Sequence, residues 1–212
     1  MCPWQCGWYG RRDELATHTT VCHVGYFIDA TVPVPGGHLG INFEIIEGRM
    51  FVGSVDHDGA IDRYNRKQGG CEEKQVRSND QVVQVDGIGG DARVLSYLVQ
   101  RAGRKSITFR HPEELAINLN TQGKKLGLDI SWTQKCKILT ILGVDGGAAD
   151  ECNSAAKTES EKLMRLDRII EVNGVSCVGS PERVMPILNQ AQHSNKCLIR
   201  IHRPRRCSVC SL

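Results

Sequence analysis

One spacing constrains this 212-residue chain more than any other. Leu39-Gly40-Ile41 returns as Leu126-Gly127-Leu128, 87 residues later. Asp80-Gln81-Val82-Val83-Gln84-Val85-Asp86-Gly87 returns at the same offset as Asp167-Arg168-Ile169-Ile170-Glu171-Val172-Asn173-Gly174, and Gly59 meets Gly146 there too. Leu95, Leu98, Val99 and Ala102 meet Val184, Ile187, Leu188 and Ala191 at an offset of 89, a shift that two loop residues explain. A fixed period across features this far apart marks a duplicated unit. The chain therefore reads as residues 1–24, copy one at 25–112, copy two at 113–203 and a tail at 204–212. Charge divides nearly the same way: residues 25–112 and 113–202 each balance their acids and bases, and the net +3 resides in Arg203, Arg205 and Arg206.

Periodicity sets the coarse structure of a copy. Tyr26, Ile28, Ala30, Val32 and Val34 alternate like a half-buried strand, which Pro33 and Pro35 confine to a sheet edge or end. Leu39–Glu47 and Arg49–Val55 read as strands joined at Gly48, and Gln81–Val85 as a strand closed by an Asp86-Gly87 turn. Val94, Leu95, Leu98, Val99 and Ala102 follow helical spacing, with Asp91 as N-cap and Gly103 as stop. Ile107–Arg110 is a last strand. In copy two Leu115, Ile117 and Leu119 alternate, and Leu128–Trp132, Ile138–Val144, Arg168–Val172 and Leu198–Ile201 read as strands. Ser180 is expected to cap a helix with Pro181 at its first position, and Pro186 is a misfit that kinks it. Each copy is a strand-rich α+β unit with one well-marked helix.

This order of elements, with Lys125-Leu126-Gly127-Leu128, Gly147-Ala148-Ala149 and Leu163 to Gly174 in copy two, resembles the PDZ domain. Copy one matches at His38-Leu39-Gly40-Ile41, Gly59-Ala60 and Val76 to Gly87. The resemblance covers about residues 25–203. It implies a mainly β, α+β fold: two PDZ-like partly open β-barrels, each with one or two helices. Three departures stand out. Asn79 and Leu166 replace the family's usual glycine, His38 and Lys125 replace the glycine that opens the loop, and the polar stretches near 63–74 and 151–162 are longer than usual.

The resemblance also implies a function. A partner's C-terminus adds as an antiparallel strand beside the second strand, main-chain hydrogen bonds giving affinity and pockets giving specificity. Its carboxylate sits on the loop N–H groups of Leu39, Gly40 and Ile41, or of Leu126, Gly127 and Leu128. Phe43 and Ile130 continue the strands. Lys124 or Lys125 adds charge in copy two, where copy one has only His38. Aligned on the family's pattern, Ala92 and Ser96, or Pro181 and Met185, form the helix wall. Neither copy has the histidine that favours Ser or Thr ligands, so apolar C-termini are expected. A tandem pair raises avidity for partners that engage both grooves.

The remaining signals lie at the ends. Cys2, Cys6, His18 and Cys22 form a Cys-x3-Cys-x11-His-x3-Cys set, and the string resembles a TRAF-type zinc finger; His23 is an alternative to Cys22. Three thiolates and an imidazole suit one structural zinc ion. The ten cysteines otherwise read as packing residues (Cys71, Cys136, Cys152, Cys177, Cys197) or, with Cys207 and Cys210 beside arginines, as candidates for palmitoylation and peripheral membrane contact. No secretory leader is read, so a cytoplasmic setting, with membrane association through partners, is expected. Charge near balance argues against nucleic acid as a partner. No apolar run approaches the roughly 20 residues of a membrane helix. P-loop, Gly-x-Ser-x-Gly and His-Glu-x-x-His motifs are absent from the sequence, and Asp56, His57 and Asp58 read as a polar loop. The expectation is a non-enzymatic adaptor; the alternative is a substrate-recruiting part of a ubiquitin-ligase-type protein. Oligomeric state is not legible.

Overall fold

The computed structural model describes residues 27–34, 38–132, 138–191 and 193–205. Copy one forms an antiparallel sheet of β1 (Phe27–Val34), β2 (Ile41–Ile46), β3 (Arg49–Val55), β4 (Gln81–Val85), β5 (Ile88–Gly89) and β6 (Gly103–Arg110), ordered β1-β6-β4-β3-β2, with β5 paired to β4. Helices α1 (Ala60–Lys67) and α2 (Ala92–Val99) complete it. Copy two repeats the order with β7 (Glu113–Asn120), β8 (Leu128–Ser131), β9 (Leu139–Val144), β10 (Arg168–Val172), β11 (Val175–Ser176) and β12 (Lys196–Arg203). Its helices are α3 (Gly147–Ala155) and α4 (Met185–Ala191). Both are mainly β, partly open units.

Alternation explains the cores. Ile28, Ala30 and Val32 point inward from β1 onto Met50, Val52, Val82, Ile107 and Phe109, and α2 closes the core with Leu95 and Val99. Ile117, Leu119, Ile141, Ile169, Ile199 and Ile201 do the same in copy two. Pro33 sits on edge strand β1, where a missing N–H is best tolerated. At Asp86-Gly87 and Asn173-Gly174 both residues have positive φ, the type I′ geometry that matches strand twist. The Asp91 carboxylate accepts from the N–H groups of Arg93 and Val94, an N-cap worth about 1 kcal/mol.

Several expectations need correction. The polar stretches are not plain connections: they carry α1 and α3 and then short 3-10 turns at Glu72–Lys74 and Glu159–Glu161. An asparagine side chain holds each stretch to the helix like a backbone partner. Asn65 bonds the Val76 N–H (2.8 Å) and C=O (2.7 Å), and Asn153 bonds those of Leu163 (2.7 and 2.8 Å). The helix expected from Ser180 is split into a 3-10 turn (Pro181–Arg183) and α4, and Ser180 makes no side-chain cap. Pro186 has no N–H to continue a helix from residue 182, so the α-helix starts afresh around it. Helix α2 ends at Val99, and Gly103 opens β6 rather than stopping the helix. Cys177 and Cys197 are buried as expected, their thiols pushed up to about 12 and about 11 by burial, but Cys71 is exposed. Asn79 and Leu166 both take left-handed φ (75° and 74°), so each keeps the conformation for which the resemblance expects glycine.

The two sheets meet through polar side chains. Arg168 of β10, 1% exposed, pairs with Glu44 of β2 at 2.6 Å and lies 4.1 Å over the ring of Phe51. It also donates to the Asn79 Oδ1 at 3.1 Å. A guanidinium has only donors, so the Asn79 oxygen faces Arg168 and its NH2 faces His202 Nδ1, 3.0 Å away. That bond fits a neutral imidazole, and burial holds the His202 pKa down to about 4. The unfolded chain therefore takes up this proton first. Stability is expected to be full above about pH 6.5 and to fall by about 2–3 kcal/mol as pH drops toward 4. Urea denaturation of wild type and His202→Asn across that range checks this. Parallel pH profiles for the two would reject it.

Candidate functional site

In both copies the segment with a candidate ligand role is the loop entering the second strand. Its geometry follows from the helix beside it. The first N–H groups of a helix lack intrahelical partners. Here loop carbonyls supply them: Leu39 C=O accepts from Ile61 N–H (3.1 Å), Lys125 C=O from Ala148 N–H (2.9 Å), and Leu126 C=O from Ala149 N–H (3.0 Å). The glycine carbonyls are tied as well, Gly40 to Asp56 N–H and Gly127 to Asp145 N–H, both at 2.9 Å. With the carbonyls committed to the helix side, the N–H groups of Leu39, Gly40, Leu126 and Gly127 donate to no backbone carbonyl among the described residues.

Only glycine fits this loop. Gly40 and Gly127 have φ of +73° and +71°. A Cβ on Gly40 would lie 2.5 Å from the Gly59 Cα, and one on Gly127 would lie 1.8 Å from the Gly146 oxygen. The repeated Gly59 and Gly146 are thus the second half of the same close contact.

Beyond the loop, β2 and β8 are edge strands, each hydrogen-bonded among the described residues only to the strand that comes after it. The register of each pair shifts at the same place, opposite Asn42-Phe43 and Asp129-Ile130, where the neighbouring strand carries one extra residue, Gly53 in β3 and Leu142 in β9. A bulge re-aims the strand locally. Asn42 is fixed there by bonds to Ser54 Oγ (3.0 Å) and Asp56 Oδ1 (2.8 Å).

The predicted residues line these two loops, strands and helices. His38 and Lys125 are exposed at the loop mouths. Leu39 and Gly40 are buried, and Ile41 and Phe43 are half-buried against the core. Leu126, Leu128 and Ile130 are half-buried against the second core. Ala92 is buried at the start of α2, its N–H bonded to Gly48 C=O (2.8 Å), with half-buried Ser96 one turn on. Pro181 is buried in the 3-10 turn and Met185 is half-buried at the start of α4, so the second wall is a broken helix. Lys124 is committed to Glu151 at 2.6 Å, which leaves Lys125 as the nearer candidate for added charge. Ile45, missed by the sequence reading, is exposed on the side of β2 that carries Ile41 and Phe43, and strict alternation could have found it.

Two other clusters combine metal-ligand residue types. Cys2, Cys6, His18 and Cys22 lie outside the described residues. His57, Asp58 and Asp62 come close enough to share an ion, but Arg66 already lies between both carboxylates, and its guanidinium holds them below the usual carboxylate range. That is an ion-pair cluster at the start of α1.

The close contact gives a clean test. Gly40→Ala and Gly127→Ala are expected to cost about 3 kcal/mol by combining strained φ with overlap. Gly87→Ala and Gly174→Ala, also at positive φ but facing open space, should cost only about 1 kcal/mol. Urea denaturation of the four variants measures the difference, and equal losses would show that the loop does not pack as described.

No family model and no curated protein matches the chain. Similar solved structures include a complex of INAD PDZ45 with NORPA CC-PBM, 18% identical over 84% of this chain and 91% of that one, TM-score 0.38. INAD PDZ45 in complex with an NG2 peptide is also 18% identical, over 84% and 90%, TM-score 0.37. The dmPar3 PDZ1 domain in complex with the dmPar6 PBM is 28% identical over 44% of this chain and 97% of that one, TM-score 0.33.

Proposed function

We propose that the chain is a protein-interaction adaptor made of two PDZ-like units that bind partner C-termini by strand addition. One observation carries this reading. In both copies an apolar-Gly-apolar loop has N–H groups with no backbone partner among the described residues, beside an edge strand open on one side. Consecutive N–H groups in such a concavity suit an anion, and an open edge suits an extended main chain. A free C-terminus offers both at once, with its carboxylate on Leu39, Gly40 and Ile41 or on Leu126, Gly127 and Leu128. Its last side chain then packs on the half-buried apolar residues of the loop and strand.

Specificity follows from the second wall. Ala92 and Pro181 offer no hydrogen bond to a ligand side chain, so apolar-ending partners are favoured in both grooves. The adaptor works in the cytoplasm and performs no catalysis of its own. A library of C-terminal heptapeptides, each made as free acid and as amide, tests the reading. Free acids ending in Val, Leu, Ile or Phe should bind at least tenfold tighter than their amides. Equal binding of acid and amide would remove the carboxylate site, and exclusive binding of Ser- or Thr-bearing peptides would remove the apolar preference.

Cys2, Cys6, His18 and Cys22 are proposed to hold one structural zinc ion, supported by donor type and spacing alone. A reduced preparation should contain about one zinc per chain by elemental analysis. A zinc-free preparation, or unchanged content in Cys6→Ser, would reject the site.

A further inference from the structure

We infer that copy two is a working part of the first groove: Arg168, acting through Glu44, holds the ligand-pairing strand β2 in place. The inference rests on the reading of β2 as the strand to which a partner adds. Along β2, Ile41 and Phe43 pack on the core of copy one. Glu44 alternates to the opposite face, and there it is buried at 6% exposure with Arg168 of copy two as its ion-pair partner. At Glu44, the face of β2 that does not line the groove is therefore covered by the other copy.

Within copy one this strand is held by its core residues, by β3 and by the bonds of Asn42 to Ser54 and Asp56. Among the described residues its backbone pairs only with β3, and the register shifts between Asn42 and Phe43, next to Glu44. The hairpin end of β2 is tied by copy two as well: Arg165 pairs with Glu47 while also donating to Leu142 C=O of its own sheet. Copy two thus holds β2 at mid-strand and at its end. The connection between the sheets is short and fixed. It consists of His111 and Pro112, both buried, and His111 Nδ1 lies 2.6 Å from Asp80 Oδ1 with Nε2 3.2 Å from Glu73 C=O. Such a linker keeps Arg168 presented to Glu44.

The relationship is one-sided. At the 87-residue offset the counterpart of Glu44 is Ser131, which is exposed. The counterpart of Arg168 is Gln81, which accepts from Arg110 within its own copy at 3.1 Å. Among the described residues, strand β8 therefore has no counterpart of the Arg168–Glu44 pair from copy one. Loss of Arg168 should damage the first groove and spare the second, which a general loss of stability would not do.

Amide hydrogen exchange on the full chain tests this without a ligand. In Arg168→Gln and in Glu44→Gln, approached from opposite sides of the pair, Ile41–Ile46 should exchange at least tenfold faster. Leu128–Ser131 and Lys196–Arg203 should keep their protection, and Arg168→Lys should restore part of the β2 protection. A heptapeptide ending in Val with a free carboxylate supplies the second readout, each groove being followed by the amide shifts of its own strand. Its affinity for the first groove should fall about tenfold while that for the second is unchanged. Unchanged β2 exchange in both variants would overturn the inference, as would an equal loss of protection in β2 and β8. If Arg168→Gln disrupts β12, the Glu44→Gln result decides. If the peptide fails to bind wild type, the binding function falls, and the exchange rates still decide whether copy two holds β2.

Discussion

The guanidinium of Arg168 is the group around which the two sheets are arranged. Taking it from water costs several kcal/mol, and its five donors must then be met inside the protein. Glu44 meets the charge, Asn79 meets a second nitrogen, and the Phe51 ring lies against its face. Such a pair is weak evidence for added stability, because apolar residues of the same size do as well. Its effect is geometric. Two sheets joined only by apolar contact could slide, whereas a planar fork that must reach a carboxylate, an amide oxygen and a ring tolerates one register. The same constraint passes outward, since the orientation it imposes on Asn79 fixes which His202 nitrogen accepts a hydrogen bond.

Within each copy a different economy of hydrogen bonds shapes the candidate site. A helix start and a glycine loop each have unmet backbone groups, and here they meet each other. Loop carbonyls cap α1 and α3, and the N–H groups of Leu39, Gly40, Leu126 and Gly127 are left with no backbone acceptor among the described residues. The site is thus a by-product of capping a helix without a side chain: Gly59 and Gly146 occupy the N-cap positions and form no side-chain cap. Serine or aspartate there would cap the helix better in isolation, but a Cβ at Gly59 would lie 2.7 Å from the Gly40 Cα.

The sheet was legible in the sequence because its strands alternate and its copies repeat. Gln81–Val85 and Arg168–Val172 match the expected bounds, and Asp91 caps α2 as read. Helices α1 and α3 were not legible. Their segments are short and polar, with only Ala60 and Ile61, or Ala148 and Ala149, buried, so they carry no full apolar stripe. The split at Pro186 was half legible: the misfit was visible, but not that the chain would restart the helix around it. For the candidate site, the repeated glycines and loop residues were readable from spacing. The role of Glu44 was not, because a glutamate inside an otherwise apolar strand reads as the solvent face of an edge. Its partner lies 124 positions away in the other copy, and nothing local signals it.

The positions at which the copies differ explain how a duplication became a pair. Both carry a fully buried aspartate before the fourth strand of the unit, Asp80 and Asp167, each accepting a local N–H. In copy two Arg203 answers Asp167 with two bonds, at 2.8 and 2.7 Å, and reaches on to the carbonyls of Glu159 and Lys162. In copy one His111 answers Asp80 and reaches the Glu73 carbonyl, and burial pushes the Asp80 carboxyl upward while His111 opposes it. The two arrangements do the same local task of holding the 3-10 turn to the sheet end. Their consequences differ, because His111 is also the linker. A shorter side chain brings the chain end close to the sheet, and copy two begins two residues later. The contact that ends copy one is therefore the contact that positions copy two, which ties the placement of Arg168 to the packing of copy one itself.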